Sequence, residues 1–509
     1  MTAICCVGVA GAFAAPAVAE TLAEAIALAY DTNPNLQAQR STQRVLDETY
    51  VQARSGFRPQ LSFSSDESFL ETRTPRGAAG FIDTTGSGIP NALGSGILRT
   101  NSAFAGFSLS QPIWTGGRAV AAVSAAEADI LSGRENLRRV ESQVLLSVIQ
   151  AYLDVRRDQE GVRIREQNLR VLQEQLKETK ARFDVGELTR TDVAQSESRG
   201  AAARALLSSA VAQLAISRAS YTAVVGRNPG ELQPAPSLAY LLPANADDAF
   251  GVAETFSPVL RGQMYAEEAS RARVSAARAE RMPSLSLRAQ YGLTGLANPF
   301  DSSHFTRELT GEAVVTVPLF TGGLTTSRIR QQVERNNTDR INIETQRRAV
   351  LQTLTQAWNQ LVAARSNIAS TEEAVRAAEI AAEGTRQEQR VGLRTTIDTL
   401  NAEQELSNNQ LSATGARHDE YLAAATVLSA MGRLEGKNLI PTISPYDPTR
   451  NFRKLRFALG YVPWEEPIAA IDRVLSVPPI GSTTQSPSEA KIAPRLQPPS
   501  MARVDAPKT

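Results

Sequence analysis

The stretch QPIWTGG at residues 111–117 decides the fold, because it returns as VPLFTGG at residues 317–323, an offset of 206 positions. The same offset relates further landmarks in the same order: Tyr152 and Trp358, Val185-Gly186 and Val391-Gly392, Asp192 and Asp398, Gly226 and Gly432. Before Pro112 the offset is 224, as from Pro59 to Pro283, so the first copy holds 18 extra residues there. A constant offset over such long spans indicates a duplicated structural unit.

The bulk composition restricts the class of partner. The 509-residue chain has a net charge of +1, so no large basic field points to nucleic acid and no acidic field points to a cationic partner. Hydrophobic residues make up 42% of the chain but aromatic residues only 6%, and alanine is frequent, as in residues 201–205. Alanine-rich, charge-rich segments favour long helices packed at close range.

The first 19 residues are typical of a secretory signal peptide. An apolar stretch at residues 4–15 precedes the small-x-small pattern of Ala17 and Ala19, although no Lys or Arg lies before it. Both cysteines fall inside this segment, so a mature chain that begins at Glu20 has no thiol, which suits an oxidising compartment. Beyond the segment we find no apolar run of about 18 residues and expect no membrane-spanning helix. A secreted chain of this kind is either soluble or enters a membrane as a β-barrel.

Each half of the chain shows the order helix, hairpin, very long helix, break, helix. In the first half a helix is predicted over about 21–54, with an interruption near Asn33-Pro34, and strands are predicted on both sides of a loop over 72–100. In the second half, apolar and polar residues alternate over 285–293 and 309–317. One apolar and one polar face over about ten residues is the period of a transmembrane strand. It also fits a soluble sheet with one wet face, and alternation alone does not decide between them.

Two proline-free segments of about 68 residues each, 117–185 and 323–391, predict helical rods. At 1.5 Å per residue such a rod reaches about 100 Å, which is far more than a globular core needs. Two shorter helices stacked end to end could run beside each rod. Four strands cannot close a membrane barrel, and open edges are not tolerated in lipid, so several protomers would have to share one barrel. These patterns leave dimer, trimer and tetramer open.

The leader, the duplicated unit, the hairpin with its Gly-Gly exit, the rod and two glycine-centred turns together resemble the TolC family of outer-membrane efflux and secretion channels. The resemblance covers about residues 20–436, and RFDVG at 182–186 with TDV at 191–193, and VGLRTTID at 391–398, look like the family's two inner-turn signatures. It implies a mixed α and β membrane protein, a homotrimer with four strands per protomer in a shared transmembrane β-barrel and with a long α-helical coiled-coil barrel. It also implies an equatorial belt.

The predicted division of the chain follows from the repeat and the resemblance together. We expect a signal peptide at 1–19, a first structural repeat at 20–226 and an inter-repeat equatorial linker at 227–251. A second structural repeat at 252–432 is followed by a C-terminal equatorial segment at 433–474. Residues 475–509, rich in proline and serine, are predicted to be a disordered tail.

The candidate site consists of turns. Thr189 with Asp192 and Thr395 with Asp398 have the spacing of capping boxes at the start of a helix. By resemblance, the periplasmic gate and pore constriction comprises Thr191, Asp192, Gln389, Arg394, Asp398 and Asn401. The helix turns would be centred on Gly186 and Gly392, and the strand-exit turns on Pro112, Gly116, Gly117, Pro318, Gly322 and Gly323.

The resemblance gives these gate residues distinct roles. Asp398 should ring the pore at its periplasmic tip, and Arg394 should link to Thr191 and Asp192 of a neighbouring coil and hold the tip closed. Gln389 stands where the family's best-known members have a gating tyrosine, and Asn401 where they have a second aspartate ring. Only one acidic ring therefore remains, which weakens the expectation of cation selectivity.

No pattern for catalysis, a cofactor or a metal accompanies these features. His304 and His418 lack the cysteine or carboxylate spacing of a metal site, and no catalytic or phosphate-loop motif is present. The basic run FRKLRF at 452–457 is better explained as a surface than as a nucleic-acid site.

We therefore interpret the chain as a non-enzymatic exit duct in the cell outer membrane that extends into the periplasm. Its expected partners are outer-membrane lipid, a periplasmic adaptor (membrane fusion) protein and an inner-membrane ABC or proton-driven transporter, with no nucleic acid. The cargo, a secreted protein or small toxic compounds, stays open. The alternative is a soluble periplasmic coiled-coil adaptor or scaffold.

Overall fold

The computed structural model describes residues 20–73, 97–296, 305–440, 443–457, 462–474 and 476. The predicted signal peptide, most of the predicted loop at 72–100, His304 and almost all of the predicted tail lie outside these residues. The described helices and strands follow each other in this order: α1 (Leu22–Thr32), α2 (Pro34–Arg54), β1 (Gln60–Arg73), β2 (Ile97–Trp114), α3 (Arg118–Asp184), α4 (Arg190–Val225), α5 (Ala246–Phe256), α6 (Pro258–Ala279), β3 (Ser284–Gly295), β4 (Thr306–Thr316), α7 (Leu324–Arg390), α8 (Thr396–Ala430), α9 (Gly436–Leu439), α10 (Thr449–Phe457) and α11 (Glu465–Val474).

Local sequence explains where the first helices begin. Thr21 caps α1 in a capping box with Glu24. Asn33 then caps α2, its side chain accepting hydrogen bonds from the amides of residues 35 and 36, while Pro34 occupies the first helical turn, where its missing N–H costs nothing. The interruption predicted at Asn33-Pro34 is thereby confirmed.

The two predicted rods are confirmed as single helices of equal length. Helices α3 and α7 each run for 67 residues. Each is followed, after a turn of a few residues, by a helix of about half that length, 36 residues in α4 and 35 in α8.

The four strands form one antiparallel sheet in the order β1-β2-β3-β4, so β1 and β4 are its edges. Paired residues share a face, and the register separates apolar from polar side chains. The apolar face includes Phe63, Phe107, Tyr291, Leu287, Leu309 and Val315. On the polar face, Ser62 shares a hydrogen bond of 2.7 Å with Ser108, and Arg288 lies 3.6 Å from Glu312.

The chain divides into two compact units. The helical unit comprises residues 1–58, 122–270 and 330–465, and the sheet unit comprises 59–121, 271–329 and 466–509. The core of the helical unit is formed by α1, the middle of α3 and the last turns of α8, and it includes the fully buried Leu145, Val148, Tyr152 and Leu428. The Tyr152 hydroxyl donates hydrogen bonds to the carbonyl oxygens of Gln233 (2.6 Å) and Glu20 (3.0 Å), and so ties the inter-repeat segment to the start of the described chain.

One helix differs from the expectation drawn from composition. Within the described residues, α4 contains an 18-residue window with a mean hydropathy of 1.2, so by length and composition alone it is apolar enough to cross a membrane. Residues 201–216 of this helix are rich in Ala, Leu and Val, which raises the mean hydropathy without a continuous run of large apolar side chains. A single helix of this kind is weak evidence for a membrane span, because packed helices of many proteins meet the same criterion.

Candidate functional site

The first inner turn joins α3 to α4. Gly186 has a φ of 83°, and its amide and that of Glu187 donate to the carbonyl oxygens of Phe183 and Arg182, both at 2.9 Å. This left-handed glycine ends the helix in the way that a C-terminal glycine usually does. Thr189 then caps α4, because its hydroxyl accepts from the Asp192 amide while the Asp192 carboxylate accepts from the Thr189 amide at 3.0 Å. The predicted capping box is confirmed.

The second inner turn joins α7 to α8 and repeats this geometry. Gly392 has a φ of 80°, and Thr395 caps α8 in a capping box with Asp398. Hydrogen bonds from the Thr395 hydroxyl and amide hold the pKa of Asp398 below its ordinary value. Asp398 therefore stays ionised at neutral pH.

An ion pair closes each inner turn, but with the charges in opposite order. In the first turn Arg182 donates to Glu187 at 3.0 Å, and in the second Arg394 donates to Glu388 at 2.8 Å. Arg394 and Glu388 are each about half exposed. Within the protomer the Arg394 guanidinium is thus held in its own turn, and its link to Thr191 and Asp192 of a neighbouring coil stays a prediction.

The two residues that depart from the family pattern contact partners on other helices. Gln389 is 4% exposed, and its carbonyl oxygen accepts a hydrogen bond of 3.1 Å from the Gln175 amide on α3. The Asn401 carbonyl oxygen accepts a hydrogen bond of 2.8 Å from Arg199 on α4. Neither Gln175 nor Arg199 was among the predicted site residues, because the partners lie 214 and 202 positions apart and no local spacing marks them.

A further charged link joins the ends of α7 and α8 near the second turn. Arg386 on α7 pairs with the buried Glu403 on α8 and also with Glu383, at 2.7 Å, one turn back on its own helix. This pair was also missed from the sequence. The pair links α7 to α8 one helical turn before Gln389.

The first strand-exit turn is capped by a carboxylate from the C-terminal helix. Gly116 and Gly117 have φ values of 71° and 88°. The fully buried Asp472 of α11 accepts hydrogen bonds from the amides of Thr115 (2.7 Å) and Gly117 (3.0 Å), and from the Thr115 hydroxyl. Glycine is required at 116 by contact as well as by φ, since a Cβ there would lie 2.4 Å from the Cβ of Met282.

The second exit turn has the same backbone but a different environment. Gly322 and Gly323 also have positive φ values, 59° and 83°. Added Cβ atoms would meet nothing within 4 Å among the described residues, and Leu319 and Phe320 are 92% and 90% exposed. Pro112 lies beside the register shift at the end of β2, whereas Pro318 follows the end of β4.

The described residues contain no group of three or more His, Cys, Asp or Glu side chains placed to hold a metal ion. His418 on α8 instead lies between two carboxylates: Nε2 is 3.0 Å from Asp154 on α3, and Nδ1 is 2.8 Å from Asp419. Burial alone would lower the pKa of His418, but the hydrogen bonds to Asp154 and Asp419 outweigh it and raise the pKa. The histidine is therefore best explained as a link between two helices.

Known proteins are similar to this chain in sequence. The profile of the family described as "Outer membrane efflux protein" matches residues 25–227 and 253–433. The outer membrane efflux protein BepC of Brucella suis is 33% identical over 445 residues, which cover 86% of this chain and 91% of BepC. The alkaline protease secretion protein AprF of Pseudomonas aeruginosa is 25% identical over 341 residues, covering 65% of this chain and 70% of AprF.

Solved structures agree with the fold. The outer-membrane channel OprN superposes with a TM-score of 0.69 at 17% identity, covering 81% of this chain and 89% of OprN. The outer membrane channel CmeC of Campylobacter jejuni also gives 0.69, at 14% identity, covering 86% of this chain and 89% of CmeC. The alternative of a soluble periplasmic adaptor or scaffold is therefore wrong. The chain belongs to the outer membrane efflux protein family and forms an exit duct of the outer membrane that extends into the periplasm.

Proposed function

We propose that three copies of this chain form one duct, in which their sheets share a twelve-stranded barrel and their long helices line a tunnel. The observation that carries this proposal is the sheet itself, which has an apolar face and two unpaired edge strands, β1 and β4. Lipid does not tolerate open sheet edges, and four strands are too few to close a barrel. Edge pairing between copies removes both problems.

A substitution on the apolar face tests this proposal. Val315→Arg places a charge on that face of β4 and should cost about 2–4 kcal/mol if the residue lies near the bilayer midplane. We expect outer-membrane fractionation to show reduced insertion and the loss of a detergent-resistant, heat-modifiable oligomer. Thr310→Arg is the matched control, because it places the same charge on the polar face of the same strand and should assemble normally. Normal assembly of Val315→Arg would reject the barrel.

We propose that the duct is passive. An inner-membrane transporter would supply energy and select the substrate, and a periplasmic adaptor would connect the two. BepC, at 33% identity, is named as an efflux protein, which supports small toxic compounds as the cargo. AprF is named for protease secretion, so protein export is the second candidate. Deletion of the gene, followed by assays of sensitivity to toxic compounds and of secreted protein, separates the two.

We propose that the inner turns form the periplasmic constriction, with Asp398 as the acidic ring and Arg394 as the latch. An exposed ion pair contributes little stability, so three latches would hold the tip closed by only a small amount of free energy. An adaptor that binds the open form better could overcome this amount. The helix turns at Gly186 and Gly392 would set the position of these side chains.

Replacement of the latch tests its role. Arg394→Ser should raise single-channel conductance in planar bilayers and leave the yield of oligomer unchanged. Arg182→Ser is the control, because it also removes a within-turn ion pair but has no proposed partner in another coil. A conductance of Arg394→Ser equal to that of the wild type would assign Arg394 to the stability of its own turn alone.

A further inference from the structure

A cavity of about 790 Å³ lies in the helical unit between the first two helices and the segment that leads into α10. It belongs neither to the inner turns nor to the exit turns. Its size is within the range that accommodates a small organic molecule. It is lined by residues of α1 and α2, of the segment 444–447 and of α10.

Arg40 is the central feature of this cavity. Its guanidinium lies between two aromatic rings, 4.6 Å from the centroid of Tyr30 and 4.9 Å from that of Tyr446. The Tyr30 hydroxyl accepts a hydrogen bond of 3.0 Å from the Tyr446 amide, which fixes the two rings relative to each other. The rings hold the guanidinium in one orientation.

Two nitrogens of this guanidinium lack an acceptor. Nε and Nη2 of Arg40 are buried, and no hydrogen-bond partner for them is present among the described residues. A buried, charged donor that is left unsatisfied is more destabilising than a neutral one. Such a cost is offset when a ligand supplies the acceptor.

Two helices that line the cavity each carry a pair of positive charges at a spacing that destabilises an isolated helix. Arg40 and Arg44 are four residues apart on α2, and Arg450 and Lys454 are four residues apart on α10. Like charges at this spacing slightly destabilise a helix. Two such pairs line the same cavity.

The acidic residues of the cavity do not balance these cations. Asp447 accepts hydrogen bonds from the amide (2.8 Å) and the hydroxyl (2.6 Å) of Thr449 and is also paired with Arg453, so it is already engaged in starting α10. Asp31 is the other acidic residue of the lining, against four cationic ones. Arg40 also lies close enough to the buried Glu141 for their charges to interact, so the excess positive charge of the cavity rests on Arg44, Arg450 and Lys454.

We propose that this cavity binds a small organic anion with more than one carboxylate or phosphate group. The planar Arg40 guanidinium would provide paired donors to one anionic group, and Arg44, Arg450 and Lys454 would provide charge for a second. Pro445 and the two tyrosine rings offer apolar surface to the body of the ligand. The lining contains none of the proposed gate residues, so the site does not rest on the proposed gate.

Binding of citrate and of inorganic phosphate to the purified full chain in detergent tests the proposal. We expect saturable binding of citrate by isothermal titration calorimetry, with an increase in the melting temperature, at an ionic strength held constant with sodium chloride. Stronger binding of phosphate than of citrate would indicate a phosphate-bearing ligand, and the reverse a polycarboxylate. Arg450→Gln and Arg44→Gln, at exposed positions, should each weaken binding by about tenfold.

Two further variants distinguish a site from general charge. Arg204→Gln removes an exposed cation from α4, remote from this lining, and should bind citrate as the wild type does. Arg40→Lys keeps the charge but not the planar donors. It should weaken the binding of citrate and leave the melting temperature of the anion-free protein close to that of the wild type. The proposal is overturned if the wild type binds neither anion or if Arg204→Gln weakens binding as much as Arg450→Gln. It is also overturned if Arg450→Gln destabilises the oligomer without any anion, because a neighbouring copy would then fill the cavity.

Discussion

Helices α3 and α7 have the same length and equivalent places in the repeat, yet they are buried to very different extents. The middle of α3 is enclosed, with Leu145, Val148 and Ile149 at 0% exposure. On α7, Leu354 and Leu361 are buried, but Ile341 and Ile380 are 67% and 76% exposed. The long helix of the first copy has therefore found its packing partners within the protomer, while the long helix of the second copy leaves apolar surface for an external partner.

The exit turns show the same asymmetry. The first turn is capped by Asp472, and the second exposes Leu319 and Phe320 and has no such carboxylate among the described residues. The two exit turns have similar backbones, but among the described residues only the first is capped by helix α11. Contacts with a second copy are the simplest completion of the other, in agreement with the proposed trimer.

The largest predicted effect tests this difference in burial by truncating one apolar residue on each long helix. Leu145→Ala, in the enclosed part of α3, should lower the free energy of unfolding by about 2–5 kcal/mol, because it leaves a cavity. Ile380→Ala, at an exposed position of α7, should change the unfolding of the protomer by less than about 0.5 kcal/mol. It should instead lower the temperature at which the oligomer dissociates on a gel. Equal effects of both substitutions on the protomer would contradict the asymmetry.

An intermediate effect concerns the capped turn. Asp472→Asn keeps the size of the side chain but removes the charge and turns one oxygen into a donor, which should cost about 1–3 kcal/mol. Thermal unfolding would measure this loss. As a matched pair, Thr115→Val removes a hydroxyl bonded to Asp472, whereas Thr321→Val removes one that, among the described residues, accepts from Thr325 at 3.1 Å. We expect the first to be the more damaging, and the reverse order would deny Asp472 its role.

The smallest effect concerns His418, which links α8 to α3. Its raised pKa means that the link contributes stability fully below the ordinary value of 6.5 and loses it as the pH rises through the raised value. The melting temperature of the wild type should therefore fall as the pH rises from 6.5 through the raised pKa. In His418→Ala, which restores the residue found at the equivalent position 212 of the first copy, the fall should be smaller. An identical pH dependence of the melting temperature in both proteins would contradict the raised pKa of His418.

Much of the fold could be predicted because its signals are local. Pro34 and the glycines at 186 and 392 mark helix ends through the backbone angles they allow, and alternation marks the strands. The capping role of Asp192 and Asp398 followed from spacing alone. The pore role of the gate residues stays a prediction, because it depends on contacts between copies.

The rest could not be predicted, because it depends on where distant segments meet. Nothing in the residues around Asp472 indicates that it will cap a turn 355 positions earlier, and nothing around Gln175 indicates a bond to Gln389. The cationic cavity at Arg40 likewise combines α2 with a segment some 400 residues later. The expectation of no membrane-spanning helix did not anticipate that α4 meets the criterion of length and mean hydropathy, because small alanines raise a mean hydropathy gradually.

The cap on the first exit turn also has a consequence for the order of assembly. Asp472 is separated from Gly117 by 355 residues, so it is synthesised and exported long after the first exit turn. The first hairpin, although it emerges early, cannot acquire its finished junction with α3 until the carboxyl-terminal helix arrives. A chain that ends before α11 therefore lacks the Asp472 carboxylate, and the amides of Thr115 and Gly117 at the end of its first hairpin stay uncapped.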